Sequence, residues 1–104
     1  SRLKAGEAQY TAFTNSNGGV IDDSIIYCMG PEKYLVCVNA VNTVTVYNWM
    51  VSNNKFHADI SNRSLEIAEV ALQGQIAFEI LQSWGLDSAS LPSKSFTFVE
   101  TKKN

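Results

Sequence analysis

From Asn15 the sequence reads Asn15-Ser16-Asn17-Gly18-Gly19-Val20-Ile21-Asp22-Asp23-Ser24-Ile25-Ile26-Tyr27. A polar run reaches two adjacent glycines, and a largely apolar strand then rises with two adjacent carboxylates in its middle. Gly18 and Gly19 are expected to supply the positive φ values of a tight hairpin. Neighbouring residues of a strand point to opposite faces. One aspartate is therefore expected to face solvent and the other to point at whatever covers the opposite face. A carboxylate on an apolar strand is costly unless something pairs with it. The candidate site begins at this pair.

Working outward, Ala8 to Thr14 alternates as the first arm of the hairpin. Tyr10, Ala12 and Thr14 fall on one face, and Gln9, Thr11 and Phe13 on the other. The second arm runs to Met29 and ends at the turn signal Gly30-Pro31-Glu32-Lys33. Tyr34 to Asn39 is a short apolar strand of the kind buried on both faces. Thr43 to Val51 fits both periods. Its β-branched residues alternate like a strand, yet Val44, Tyr47 and Val51 also make a helical face, and helix is the reading taken. Asn42 or Thr43 would cap its start and Asn53-Asn54 its end. Phe56 to Ser61 and Glu66 to Leu72 read as strands about a polar turn at residues 62–64. After Gly74, the residues Ile76, Ala77, Ile80, Leu81 and Trp84 mark a helix stopped by Gly85. Ser95 to Glu100 reads as a last strand. The expectation is an α+β fold: a ferredoxin-like split β-α-β core, ordered β-α-β-β-α-β from about residue 34, preceded by a β-hairpin at about residues 8–29. Residues 1–104 are expected to form a single domain.

Composition narrows the function classes. The chain has 104 residues, 45% apolar and 17% charged, enough for one domain with a small core. A net charge of −2 gives no basic footprint for nucleic acid, and no apolar run approaches the roughly 20 residues of a membrane span. The two cysteines, Cys28 and Cys37, are too few for a disulfide framework and are expected to be buried, reduced and inert. The single histidine, His57, has no partner at ligand spacing, so no metal site is expected. Asn62-Arg63-Ser64 matches a glycosylation sequon and is taken as a chance occurrence. Trp49 and Trp84 are assigned to the core or an interface.

Several separated blocks carry a resemblance: Gly6-Glu-Ala-Gln-Tyr10-Thr, Gly18-Gly-Val-Ile-Asp-Asp23, Val38-Asn39-Ala40 and Ala71-Leu72-Gln73-Gly74. In this order, over about positions 6 to 81, they resemble the glycine cleavage system T-protein, the aminomethyltransferase family. The resemblance implies a fragment of the family's folate-binding region, with further segments before and after it. It implies transfer of a methylene group from the aminomethyl-lipoyl arm of the H-protein to tetrahydrofolate, with release of ammonia. It implies no metal, and a bacterial cytoplasm or, in a eukaryote, the mitochondrial matrix. Asp23 matches the family's essential aspartate. Tyr10, Ile25, Tyr27 and Asn39 match residues lining the folate pocket. Gln75 stands where the family usually has proline, and Val44-Thr45-Val46 replaces a more charged pattern, neither within the implied site.

The residues agree with the resemblance on one point. Asp23, Ile25 and Tyr27 share parity, so a regular strand puts them on one face and turns Asp22 away in a structural role. The implied chemistry needs such a group, because a folate nitrogen loses a proton while positive charge develops at the transferred carbon. A fixed carboxylate can accept or orient that proton and offset that charge. Two other readings stay open. One is a related folate-binding domain, as in dimethylglycine or sarcosine dehydrogenase or in an iron–sulfur-assembly paralogue. The other is a noncatalytic ferredoxin-like interaction module.

Overall fold

Three strands and two helices carry the chain: β1 (Ala8–Thr14), β2 (Val20–Gly30), β3 (Lys33–Val38), α1 (Thr43–Ser52) and α2 (Ala77–Ser83). The computed structural model describes residues 3–102, so the outermost residues of the expected 1–104 domain lie outside it. The strands form one antiparallel sheet in the order β1-β2-β3.

The hairpin between β1 and β2 is built on Asn15. Its Oδ1 accepts hydrogen bonds from the backbone N–H of Asn17 (3.0 Å) and of Gly19 (2.9 Å). Gly18 takes the left-handed conformation expected of it, at φ +83°. Gly19 does not, and is needed for another reason: a Cβ there would meet Asn15 Nδ2 at 2.9 Å. One irregularity follows the turn. Phe13 pairs with Asp22 but Thr14 pairs with Val20, so Ile21 is an extra residue bulged out of β2. From there the register is regular, with Ala12 opposite Asp23, Tyr10 opposite Ile25 and Ala8 opposite Tyr27.

α1 packs on the face that carries Phe13 and Asp22. Val46 is 1% exposed there, and Trp49 meets Phe13 edge-on with ring centroids 5.3 Å apart. The helix forms although its residues are β-branched, because this face of the sheet needs cover and the Val46 side buries against it. It ends as expected at Asn53, whose side chain donates to the Trp49 carbonyl at 2.8 Å. α2 is shorter than expected but stops where expected. Gly85 lies at φ +81°, its N–H donates to the Gln82 carbonyl, and the Leu86 N–H donates to the Leu81 carbonyl. That pair of bonds is a Schellman closure.

The ferredoxin-like order does not form among the described residues. β3 is an edge strand with Tyr34 exposed, not a strand buried on both faces. Phe56 to Ser61 is not a strand. Asn54 clasps Ala58 through two hydrogen bonds, from its Nδ2 to the Ala58 carbonyl and to its Oδ1 from the Ala58 N–H, and His57 inside the loop takes φ +55°. Glu66 to Leu72 is not a strand: Glu66 closes a turn onto the Arg63 carbonyl, and the rest is irregular with no strand partner. Ser95 to Glu100 is cut by Phe96 at φ +56°, leaving one antiparallel bridge between Glu7 and Thr97. In place of a split βαβ there is a three-stranded meander with one helix on it.

The result is open. The accessible surface is 8583 Å², against roughly 5,800 Å² for a compact monomer of this mass. Among the described residues the buried apolar ones are Ala8, Cys28 and Val46, and Asp22 and Ser24 are buried polar ones. Large apolar side chains such as Phe56, Leu65, Val70 and Phe78 are exposed.

Candidate functional site

The paired aspartates are divided between the two faces of β2, as strand parity requires. Asp22 turns toward α1 and is 4% exposed, whereas Asp23 lies exposed on the opposite face. Each has a set of partners suited to its surroundings.

Asp22 collects donors. Its Oδ1 accepts from Asn39 Nδ2 and from Asn42 Nδ2, both at 2.8 Å. Its Oδ2 accepts from the Asn39 backbone N–H at 3.0 Å and from the Ser24 hydroxyl at 3.4 Å. Burial works against its charge, but the hydrogen bonds from Asn39, Asn42 and Ser24 outweigh it and hold the carboxyl below its usual range. This is why Asn42, which precedes α1 where an N-cap belongs, makes no side-chain cap. Its amide is committed to Asp22.

Asp23 sits in a smaller network. Tyr10, opposite Ile25 on β1, donates its hydroxyl to Asp23 Oδ2 at 2.5 Å. Asn39, at the end of β3, donates Nδ2 to Asp23 Oδ1 at 3.0 Å and to the Asp23 carbonyl at 3.1 Å. The Tyr10 hydrogen bond first, then Asn39, lowers the Asp23 carboxyl below the ordinary range despite the neighbouring Asp22 charge. The same bond, with that negative charge beside it, raises the Tyr10 hydroxyl.

Tyr10, Asp23, Ile25 and Asn39 all line one open pocket of about 170 Å³, together with Ser24, Val38, Cys37 and Glu69. Tyr27 shares the face by parity but is not part of that lining. Its ring packs edge-on against Phe98 at 5.3 Å, and burial, then Cys37 and Glu69, raises its hydroxyl pKa. Cys37, expected to be buried, is only half-buried and stands in the pocket wall, as does Glu69, which no motif marks. Burial, and then the neighbouring Glu69 carboxylate, push the Cys37 thiol up to about 11. Cys37 could have been found, since it pairs with Ile25 across the sheet. Glu69 could not, because it reaches the pocket from a coil segment with no periodicity to place it.

Chemically, the pocket offers an anionic carboxylate, a phenol that donates to it, an amide and an apolar strand residue. Asn39 Oδ1 accepts no hydrogen bond from the described residues. A flat heterocycle bearing N–H donors would find acceptors in Asp23 and Asn39 and an apolar surface at Ile25. Among the described residues no three His, Cys, Asp or Glu side chains gather as metal ligands.

Comparison with known proteins agrees in kind. The chain is 43% identical over 96 residues to an aminomethyltransferase of Bacteroides thetaiotaomicron, covering 91% of this chain and 27% of that protein. It is 45% identical over 102 residues to the aminomethyltransferase of Lysinibacillus sphaericus, covering 96% of the chain and 27% of the relative. With the aminomethyltransferase of Bacillus mycoides it shares 46% identity over 104 residues, all of this chain and 27% of the relative. The chain thus spans about a quarter of the length of these curated relatives. The family described as the GCVT N-terminal domain matches residues 1–104, and with these relatives in agreement the chain belongs to that family.

Proposed function

We propose that this chain forms one wall of the tetrahydrofolate site of an aminomethyltransferase of the glycine cleavage type, with Asp23 as its essential carboxylate. The observation that carries the reading is the meeting of Tyr10, Asp23, Ile25 and Asn39 around a single pocket from three different strands or strand ends. Tyr27 stands on the same face and extends the wall beyond the pocket itself.

Tetrahydrofolate, when bound, supplies the secondary amine that takes up the methylene group carried by the lipoyl arm of the H-protein. Asp23, held below the ordinary carboxylate range, is anionic throughout the neutral range. That state suits accepting a hydrogen bond from the amine N–H and offsetting the positive charge that develops at the transferred carbon. It suits storing a proton less well, since an efficient general base has a pKa near the working pH. Tyr10 and Asn39 fix the carboxylate, so little reorganisation is needed as charge develops. Ile25 and Ala12, on the same face, offer apolar surface to the flat ring.

The test is methylenetetrahydrofolate formation and ammonia release by the full-length protein with aminomethyl-lipoyl H-protein. Asp23→Asn keeps the shape and removes the charge, and is expected to lower turnover by at least about 100-fold, within the range for one preorganised group. Thermal unfolding of the same sample is expected to stay close to wild type, because Asp23 is exposed. Wild-type turnover in Asp23→Asn would remove the residue from the site.

A further inference from the structure

Asp22 lies on the far side of the sheet from the pocket, yet it is bound to the pocket through Asn39. We infer that Asp22 is a positioning residue: it locks the Asn39 amide in the orientation that holds Asp23 and presents the Asn39 oxygen to the ligand. This rests on the reading of Asp23 as the essential carboxylate of the site.

Asn39 Nδ2 lies 2.8 Å from Asp22 Oδ1, 3.0 Å from Asp23 Oδ1 and 3.1 Å from the Asp23 carbonyl oxygen. All three are acceptors, so only the NH₂ end of the amide can face them. Turned over, the amide would set its own oxygen against two carboxylates. Asp23 alone enforces the choice less firmly, because its carboxylate is exposed and water competes for it. Asp22 enforces it more firmly, because it is buried and anchored by Ser24 and Asn42 as well as by both the backbone N–H and the side chain of Asn39.

Replacing Asp22 with Asn inverts one end of this arrangement. The new NH₂ must face the amides of Asn39 and Asn42, or the Asn39 N–H, which can only donate, with the Ser24 hydroxyl free to turn and accept. In the first case Asn39 turns over, and its oxygen repels Asp23. In the second the Asn39 backbone loses its anchor. Both displace the Asp23 carboxylate without touching it, and misplacement by about 1 Å costs up to about 100-fold in rate.

The experiment uses the full-length protein with tetrahydrofolate and aminomethyl-lipoyl H-protein, measuring kcat and KM for tetrahydrofolate alongside thermal unfolding. Asp22→Asn is expected to lower kcat/KM by about 10- to 100-fold. Asn39→Ala should do the same. The double variant should be no worse than Asn39→Ala alone, since residues acting as one unit are not additive. If Asp23→Asn keeps its turnover, the reading of the site fails. If Asp23→Asn is inactive but Asp22→Asn keeps kcat/KM, or the two single losses multiply in the double variant, the positioning role fails and the site stands. Should Asp22→Asn not fold, carboxyl titration by NMR in wild type and Asn39→Ala takes its place. Loss of the shared amide is expected to raise the pKa of both Asp22 and Asp23, and an unmoved Asp22 overturns the inference.

Discussion

Two neighbouring carboxylates with the same intrinsic chemistry are given different tasks by where a strand points them. Asp22 is buried among donors and has a lowered pKa. The sign of its effect on stability follows. Its folded pKa lies below the unfolded one, so the unfolded chain binds more protons wherever Asp22 titrates. Its contribution is present above the ordinary carboxylate pKa of about 4 and is lost as pH falls through the lower folded value. The full-length protein is expected to lose thermal stability as pH drops below about 4, and Asp22→Asn should flatten that decline. Thermal melts of both proteins between pH 3 and 7 check it, and equal slopes would mean other groups control the acid limb. Cys37 gives a second expectation at this scale. With its thiol pushed up to about 11, it carries little thiolate at pH 8. Alkylation in the folded protein should be about 100-fold slower than for an ordinary exposed cysteine. After unfolding without reductant, Cys28 and Cys37 should both be labelled, since both are free. Mass spectrometry reads the outcome, and rapid labelling of folded Cys37 would contradict it.

Elements built from local signals were legible, and elements that depend on distant partners were not. The hairpin followed from Asn15 and the glycines. α2 stopped at Gly85 because a left-handed cap is a property of a few adjacent residues. The parity of Asp23, Ile25 and Tyr27 followed from the strand period alone. Phe56 to Ser61, by contrast, has a strand's alternation, but a strand also needs an edge to pair with, and the Asn54 clasp and His57 took that segment elsewhere. The start of α1 was half legible. Asn42 sits where a cap belongs, but a buried carboxylate from another element claims its amide. That inverts the usual rule for the position, where Asp and Asn cap equally well. Asn42→Asp would place a second carboxylate beside Asp22 Oδ1 and remove a donor. It is expected to destabilise the full-length protein by about 1–3 kcal/mol. Chemical denaturation measures it, and a neutral or stabilising result would show that capping outweighs the contact.

At the scale of the whole molecule, exposed surface and pocket size point the same way. The radius of gyration is 15.7 Å, against about 13 Å for a compact domain of this length. The pocket of about 170 Å³ is smaller than the roughly 300–1,000 Å³ that encloses a small ligand. Asp23 and its partners therefore make one wall and not an enclosure. Residues 1–104 alone are expected to show no transferase activity and no binding of tetrahydrofolate at micromolar concentration. Isothermal titration calorimetry settles the point, and micromolar binding by these residues alone would show that one wall suffices. No helix among the described residues is long and apolar enough to cross a membrane.

The bulge at Ile21 has a consequence for inheritance. Counting back from the turn without it, Asp22 would pair with Ala12 and Asp23 with Thr11, and the two carboxylates would exchange faces. The extra residue is thus a phase corrector between the hairpin and the site. Deleting Ile21 leaves a smooth strand with Asp23 still opposite Ala12, whereas a change that flattens the bulge while keeping the residue turns both aspartates over. An in-frame deletion at this codon should then be milder than some substitutions there, an inversion of the usual ranking of genetic damage.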